Sequence, residues 1–278
     1  MTAITAADAQ RSSPVFPLSM FDPVHLGIDE NGEHVFVDLA ERNMLLGGEP
    51  GGGKSNALNL IVAHGALSAD CKLILVDGKQ VELGPWRHCA DMFIGPSLAD
   101  AIAAFAKFQQ IMNDRYVSLL AHGRRKVTKG TGEPIYLVVI DEYAYYSATV
   151  GKKQDRERFA ELARDLVARG RAAGVIVILA TQRPSHQVID PSLRDLFGYR
   201  WAFRCTTDSS SDIVLGQGWA NEGYTAAEID PLARGVGWLL SESGLPRRIK
   251  AAYLPDDEIA YLAAYAAQLR RKHTELAS

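Results

Sequence analysis

Continuous apolar runs, each a few residues long and each ending in polar or glycine-rich sequence, recur from residue 34 to residue 241. They are HVFVDL (34 to 39), NMLLGG (43 to 48), KLILVD (72 to 77), DMFIG (91 to 95), YLVVID (136 to 141), VIVILATQ (175 to 182), RWAFRC (200 to 205) and VGWLLS (236 to 241). Runs that do not alternate apolar with polar are buried on both faces, as in the strands of a parallel sheet covered by helices. Helical spacing falls between several of them. SNALNLIVAHGAL follows the second run, and ERFAELARDLVARGRAA (157 to 173) sets Phe159, Leu162, Leu166 and Val167 on one face. The pattern predicts an α/β fold with a mostly parallel central sheet flanked by helices.

The ends of the chain read differently. Residues 1–22, with Pro14, Pro17 and several serines, show little periodicity and are expected to form a flexible N-terminal arm. The body is expected to span 23–255. From Asp256 the tail DDEIAYLAAYAAQLRRKH starts acidic and ends in Arg270, Arg271 and Lys272, which suits the dipole of a terminal helix over 256–278.

Composition narrows the setting. A chain of 278 residues that is 47% hydrophobic can bury a large core. Its net charge of −3 gives no global attraction to nucleic acid or anionic membrane, so any such binding must come from a local patch or from assembly. Cys71, Cys89 and Cys205 are scattered, odd in number and without a C-x-x-C pair, which suggests neither a disulfide framework nor a zinc site. A cytoplasmic protein is expected, since the polar N-terminus lacks a secretory pattern and no window holds 18 uninterrupted apolar residues.

The chemistry begins at GGEPGGGKS (47 to 55), which from Gly48 reads G-x-x-x-x-G-K-S between a predicted strand and a predicted helix. A loop wraps a triphosphate only if its backbone can come close and aim N–H groups inward. Gly48, Gly51, Gly52 and Gly53, with Glu49 and Pro50 between them, allow this. The helix opening at Lys54, Ser55 and Asn56 offers its N-terminus; Lys54 can reach the β- and γ-oxygens of ATP, and the Ser55 hydroxyl can ligate Mg²⁺.

YLVVIDE ends a buried strand in two carboxylates. Asp141 can hold the water shell of Mg²⁺, while Glu142 can orient and deprotonate the attacking water. VIVILATQRPS ends in Thr181, Gln182 and Arg183, and in an open parallel sheet this strand end faces the same crevice, where Gln182 can sense the γ-phosphate. Arg158, Arg164, Arg169 and Arg171 lie at the margins of the 157–173 helix, either solvated or offered across a subunit interface. The insertion HGRRKVTKGTGEP (122 to 134) places Arg124, Arg125, Lys126 and Lys129 within six positions, a basic run that reads as a solvated loop or a phosphate-backbone contact.

The glycine loop, LILVDGKQVELGPW (73 to 86), LVVIDEYA (137 to 144) and above all LARDLVARGRAAGVIVILATQRPS (162 to 185), followed by RWAFRCTT and LGQG, resemble the motor domain of the FtsK/SpoIIIE family of DNA translocases. The style of residues 24–55 is similar to conjugative transfer proteins of actinobacterial elements, the TraB and TraSA type. The resemblance covers about residues 24–250. It implies a RecA-like P-loop NTPase fold, ATP and Mg²⁺ as cofactors, a homo-oligomer in the form of a hexameric ring around double-stranded DNA, and ATP-driven translocation. Carried over, Lys54, Ser55, Asp141, Glu142 and Gln182 take the roles just given, and Arg200 matches an arginine acting across the subunit interface. Where many relatives have a Ser-x-x-Asp-Ser-Arg-like run, this chain has TTDSSSD (206 to 212), which puts one arginine contact in doubt. A winged-helix module and membrane helices are missing from the sequence, so loading, and recruitment to the inner face of the membrane, would fall to a partner protein or a longer parent. Two other classes stay open: a secretion-coupling ATPase acting on protein, and a nucleotide-dependent assembly module that translocates nothing.

Overall fold

Ten strands lie in one sheet in the order β2-β1-β10-β9-β8-β3-β7-β6-β4-β5. The computed structural model describes residues 16, 18–242 and 244–277. The strands are β1 (Val24–Asp29), β2 (His34–Val37), β3 (Met44–Gly47), β4 (Cys71–Val76), β5 (Met92–Ile94), β6 (Ile135–Ile140), β7 (Val175–Thr181), β8 (Tyr199–Phe203), β9 (Val236–Ser241) and β10 (Arg247–Ala251). The helices are α1 (Lys54–Ala66), α2 (Leu98–Ala121), α3 (Lys153–Arg169), α4 (Pro191–Arg194), α5 (Asp208–Leu215) and α6 (Asp256–Ala277). No helix among the described residues is long and apolar enough to cross a membrane.

From β8 through β3, β7, β6 and β4 to β5 all pairings are parallel. From β8 outward through β9, β10, β1 and β2 they are antiparallel. The parallel part is the half that the sequence pattern predicts, and its strands are apolar on both faces because both faces are covered. Met44, Leu46, Leu73 and Leu75 pack with α1 and α6 on one side, whereas Leu45, Ile74 and Val76 pack with α2, α3 and α5 on the other. The strand period of two thus feeds two cores from one sheet.

β1 and β10 are additions to the predicted set. β10 carries Arg247, Arg248 and Lys250 and buries only Ile249 and Ala251; β1 holds a register shift between His25 and Gly27. Neither has a continuous apolar run. Part of the expected N-terminal arm, residues 1–15 and Pro17, lies outside the described residues. Met20, however, is fully buried, and the Asp70 carboxylate accepts hydrogen bonds from the Ser19 hydroxyl (2.6 Å) and the Met20 N–H (2.8 Å). The packed body therefore includes residues 18–22, ahead of the expected boundary. The helix expected over 157–173 is α3: it starts four residues earlier and stops at Arg169, where the chain turns at Gly170 toward β7.

The topology decides where the chemistry meets. β7 lies between β3 and β6, with Gly47 in register with Thr181 and Ile140 with Leu179. The phosphate loop after β3, the carboxylates after β6 and the polar cluster after β7 consequently emerge side by side at the carboxyl ends of three adjacent strands.

Candidate nucleotide site

α1 opens at Gly53, whose φ of 109° is left-handed and which offers no capping side chain. The first-turn N–H groups of α1 are thereby left to a ligand. A Cβ on Gly53 would stand 2.4 Å from Gly235 Cα, and one on Gly48 would stand 2.7 Å from Phe203 Cβ. Both glycines are required by close backbone approach as well as by conformation. The Gly235 N–H donates to Gly52 O at 2.9 Å, and the Glu49 N–H to Arg204 O at 2.9 Å, pinning the loop on both shoulders.

Lys54 and Asp141 are buried against each other at the floor of the site, Nζ to Oδ1 3.5 Å, at 3% and 1% side-chain exposure. Lys54 Nζ and both carboxylate oxygens of Asp141 have no hydrogen-bond partner among the described residues. Charged atoms buried without partners are costly, and native interiors keep them where a ligand completes them. Phosphate oxygens and a hydrated cation are the partners this trio requires, so the residues fit a bound Mg²⁺-nucleotide.

Burial pushes the Asp141 carboxyl up to about 6, against the pull of the Lys54 ammonium and helped by the nearby Asp77, Glu82 and Glu142 charges. The sign follows from linkage. The folded ligand-free protein holds this proton more tightly than the unfolded chain, so its stability falls as pH rises from the ordinary carboxyl value of 3.8 through 6. The shift corresponds to about 3 kcal/mol. Thermal midpoints measured across that window should show the wild type losing stability relative to Asp141→Asn; parallel curves would refute the buried, raised carboxyl.

Glu142 sits just behind. Its Oε1 accepts from Thr181 Oγ1 at 2.7 Å and from the Ala144 N–H at 3.2 Å, and its Oε2 accepts from the Gln182 N–H at 2.8 Å. The end of β7 thus orients the carboxylate that ends β6. A cleft of about 380 Å³ runs over the phosphate loop and is lined by Glu49, Pro50, Lys54, Ser55, Asn56 and Gln182 among others. Gln182 therefore enters the cleft with the loop, as the strand-end argument requires.

The same cleft has a far wall that sequence reasoning missed, made of Arg234, Gly235, Lys250, Ala251 and Tyr253, with Glu82 from the loop after β4. Asn56, read from the sequence as a nucleotide contact, has its amide engaged elsewhere. Its Nδ2 donates to Ala252 O (2.5 Å), and its Oδ1 accepts from the Leu254 N–H (2.9 Å). Glu49 is likewise occupied, by Arg204 Nη2 at 2.9 Å and by the Thr206 hydroxyl.

The remaining sequence candidates lie away from this cleft. Arg200, near the start of β8, reaches Asp195 at 3.5 Å and is in register with Leu45, two residues before the carboxyl end of β3. The arginines of the 157–173 segment are paired within the chain: Arg158 with Glu161, Arg164 with Asp190, Arg169 with Asp165 and Arg171 with Glu242. In the TTDSSSD run Thr207 caps α5 through the Ser210 N–H, and Asp212 accepts from the Gly218 and Ala220 N–H groups at 2.9 Å each. The run is spent on internal capping. The basic insertion precedes β6, at the end of the sheet opposite the phosphate loop; Lys126 pairs with Glu41 at 2.5 Å and Lys129 with Asp22 at 3.3 Å.

A parallel-centred α/β sheet, a glycine loop opening a helix, and a buried lysine–aspartate pair at the adjoining strand end define a P-loop nucleotide-binding domain. The FtsK/SpoIIIE family model matches residues 7–136 of the chain. It is 32% identical over 251 residues to Protein Tra of Streptomyces lividans, covering 84% of this chain and 40% of that protein. It is 28% identical over 275 residues to DNA translocase FtsK of Pseudomonas aeruginosa, covering 85% of this chain and 32% of the translocase. The chain thus spans well under half the length of these relatives. Among solved structures, the pCW3 conjugation coupling protein TcpA with ATPγS superposes with a TM-score of 0.74 at 20% identity, over 95% of this chain and 76% of that one. The type VII secretion ATPase EccC of Thermomonospora curvata superposes with a TM-score of 0.71 at 22% identity, over 91% of this chain and 32% of that one. These likenesses show the shared fold.

Proposed function

We propose that this chain hydrolyses ATP with Mg²⁺ and couples the hydrolysis to movement along double-stranded DNA, in the conjugative transfer of a mobile element. The observation that carries the reading is the buried Lys54–Asp141 pair with its three unpartnered atoms beneath the phosphate loop. Lys54 would bind the β- and γ-oxygens, Ser55 and Asp141 would hold Mg²⁺ directly and through water, and Gln182 would register the γ-phosphate. Glu142, oriented by Thr181 and the Gln182 N–H, would take the proton of the attacking water. The DNA substrate is supported by the names of the relatives, a Tra protein and DNA translocases.

A homo-oligomeric ring would place a cation of one subunit at the γ-phosphate of the next. Arg200 is proposed for that role because it stands outside its own cleft and its pairing with Asp195 is long, at 3.5 Å. The basic insertion is the proposed DNA contact. Arg124 and Arg125 make no ion pair with described residues, so their charges are available to phosphates, while Lys126 and Lys129 would have to exchange Glu41 and Asp22 for DNA. Repetition around a ring would turn this modest patch into a collar.

The test is ATPase rate against added duplex DNA at low and moderate salt. Stimulation should be insensitive to base sequence and should weaken steeply with salt. Replacing Arg124, Arg125, Lys126 and Lys129 with Ala should flatten the salt dependence and uncouple hydrolysis from DNA while basal turnover survives. An assembled, active protein whose rate ignores DNA would favour a protein substrate instead.

A further inference from the structure

One aromatic side chain on the rim of the cleft has no packing role. Tyr253 is 80% exposed, yet the backbone on both sides of it is tied down. Asn56, two residues after the phosphate-loop lysine, holds Ala252 O with its amide nitrogen and the Leu254 N–H with its amide oxygen, and the Ala252 N–H donates to Leu26 O at 2.9 Å. The third residue of α1, the helix that the phosphate loop opens, thus grips the two neighbours of Tyr253. The backbone that carries a large ring is held at a fixed offset from the phosphate loop, and the ring is left bare on the cleft that both of them line.

Resting on the nucleotide reading above, we infer that Tyr253 is the stacking platform for the heterocyclic base of the bound nucleotide, which makes residues 234–253 the base-side wall of the site. An exposed aromatic face carried on a fixed backbone can meet a flat π-system with only its own side-chain torsions to order, and the base must lie beyond the phosphates on the cleft side away from Asp141. The wall is poor in groups that read base edges. The N–H groups of Gly235, Ala251 and Ala252 already donate to Gly52 O, Gly235 O and Leu26 O. Arg234 and Lys250, the charged members of the wall, are exposed and make no ion pair with described residues. Either cation could offer donors to guanine O6 and N7, but no described contact holds Arg234 or Lys250 in one geometry to make that choice. Recognition rests on stacking area, so the site should accept purine nucleotides of either kind and bind pyrimidine nucleotides more weakly.

Calorimetric titration of wild type, Tyr253→Ala and Tyr253→Trp with ATP, GTP, CTP and inorganic tripolyphosphate, all with Mg²⁺, tests the assignment. The expected result is a loss of about tenfold or more in ATP and GTP affinity for Tyr253→Ala. Tyr253→Trp should bind purines as the wild type does, and tripolyphosphate should bind all three proteins alike. Because Tyr253 is exposed, the variants should fold. Unchanged ATP affinity in Tyr253→Ala, or an equal loss for tripolyphosphate, would overturn the platform while leaving the nucleotide reading intact. Failure of the wild type to bind ATP at all would overturn both.

Discussion

Glu142→Gln should lower ATP turnover by about 10²- to 10⁴-fold while leaving ATP binding intact, because it removes only the group proposed to take the proton of the attacking water. The substituted amide oxygen can still accept from the Gln182 N–H, while the amide nitrogen would face Thr181 Oγ1, a hydroxyl that can turn to accept from it, so the strand ends should keep their arrangement. Single-turnover measurements with labelled ATP should find the nucleotide bound and uncleaved. Turnover at the wild-type rate would remove Glu142 from the chemistry and direct attention to another base.

Lys54→Met should abolish nucleotide binding and, less obviously, destabilise the ligand-free fold. Lys54 and Asp141 are both almost fully buried, and each is the other's only ionic partner among the described residues. Removing one member of a buried pair strands the other charge, which costs about 3 kcal/mol or more. The loss should sit at the low end, because Asp141 would escape by taking up a proton. The double variant Lys54→Met with Asp141→Asn removes both charges and should recover much of the stability without recovering any binding. Denaturant titrations compare the three proteins, and a single variant as stable as the wild type would show that the pair is solvated after all.

What could be read from the sequence and what could not follows from how local each feature is. The parallel strands announce themselves because burial on both faces leaves unbroken apolar runs such as VIVILAT, and chemistry placed at their carboxyl ends is adjacent in sequence to the run that positions it. Lys54, Ser55, Asp141, Glu142 and Gln182 are of this kind. β1 and β10 are paired on both edges but half exposed, and with Gly27 in one and three cations in the other they carry no strand signal. The far wall of the cleft escapes for a different reason. Tyr253 and Asn56 are 197 positions apart, and only the antiparallel return of β9 and β10 brings residues 234–253 onto the phosphate loop. Partners such as Glu41 for Lys126 and Asp22 for Lys129 likewise come from distant segments, so a basic run in the sequence overstates the free charge at the surface. The capping work of Asp212 is invisible until the turn at Gly218 and Ala220 is folded.

The pinning of the phosphate loop has a mechanical side. From Gly52 O a relay of main-chain hydrogen bonds passes to the Gly235 N–H, from Gly235 O to the Ala251 N–H, and from the neighbouring Ala252 N–H to Leu26 O in β1, each between 2.8 and 2.9 Å. No side chain intervenes, so there are no rotamers in which a displacement can be absorbed. A phosphate loop fastened in this way has little freedom to flex by itself. Any force on the loop is therefore passed through main chain to β10 and β1, the outer antiparallel part of the sheet, and not taken up by side chains.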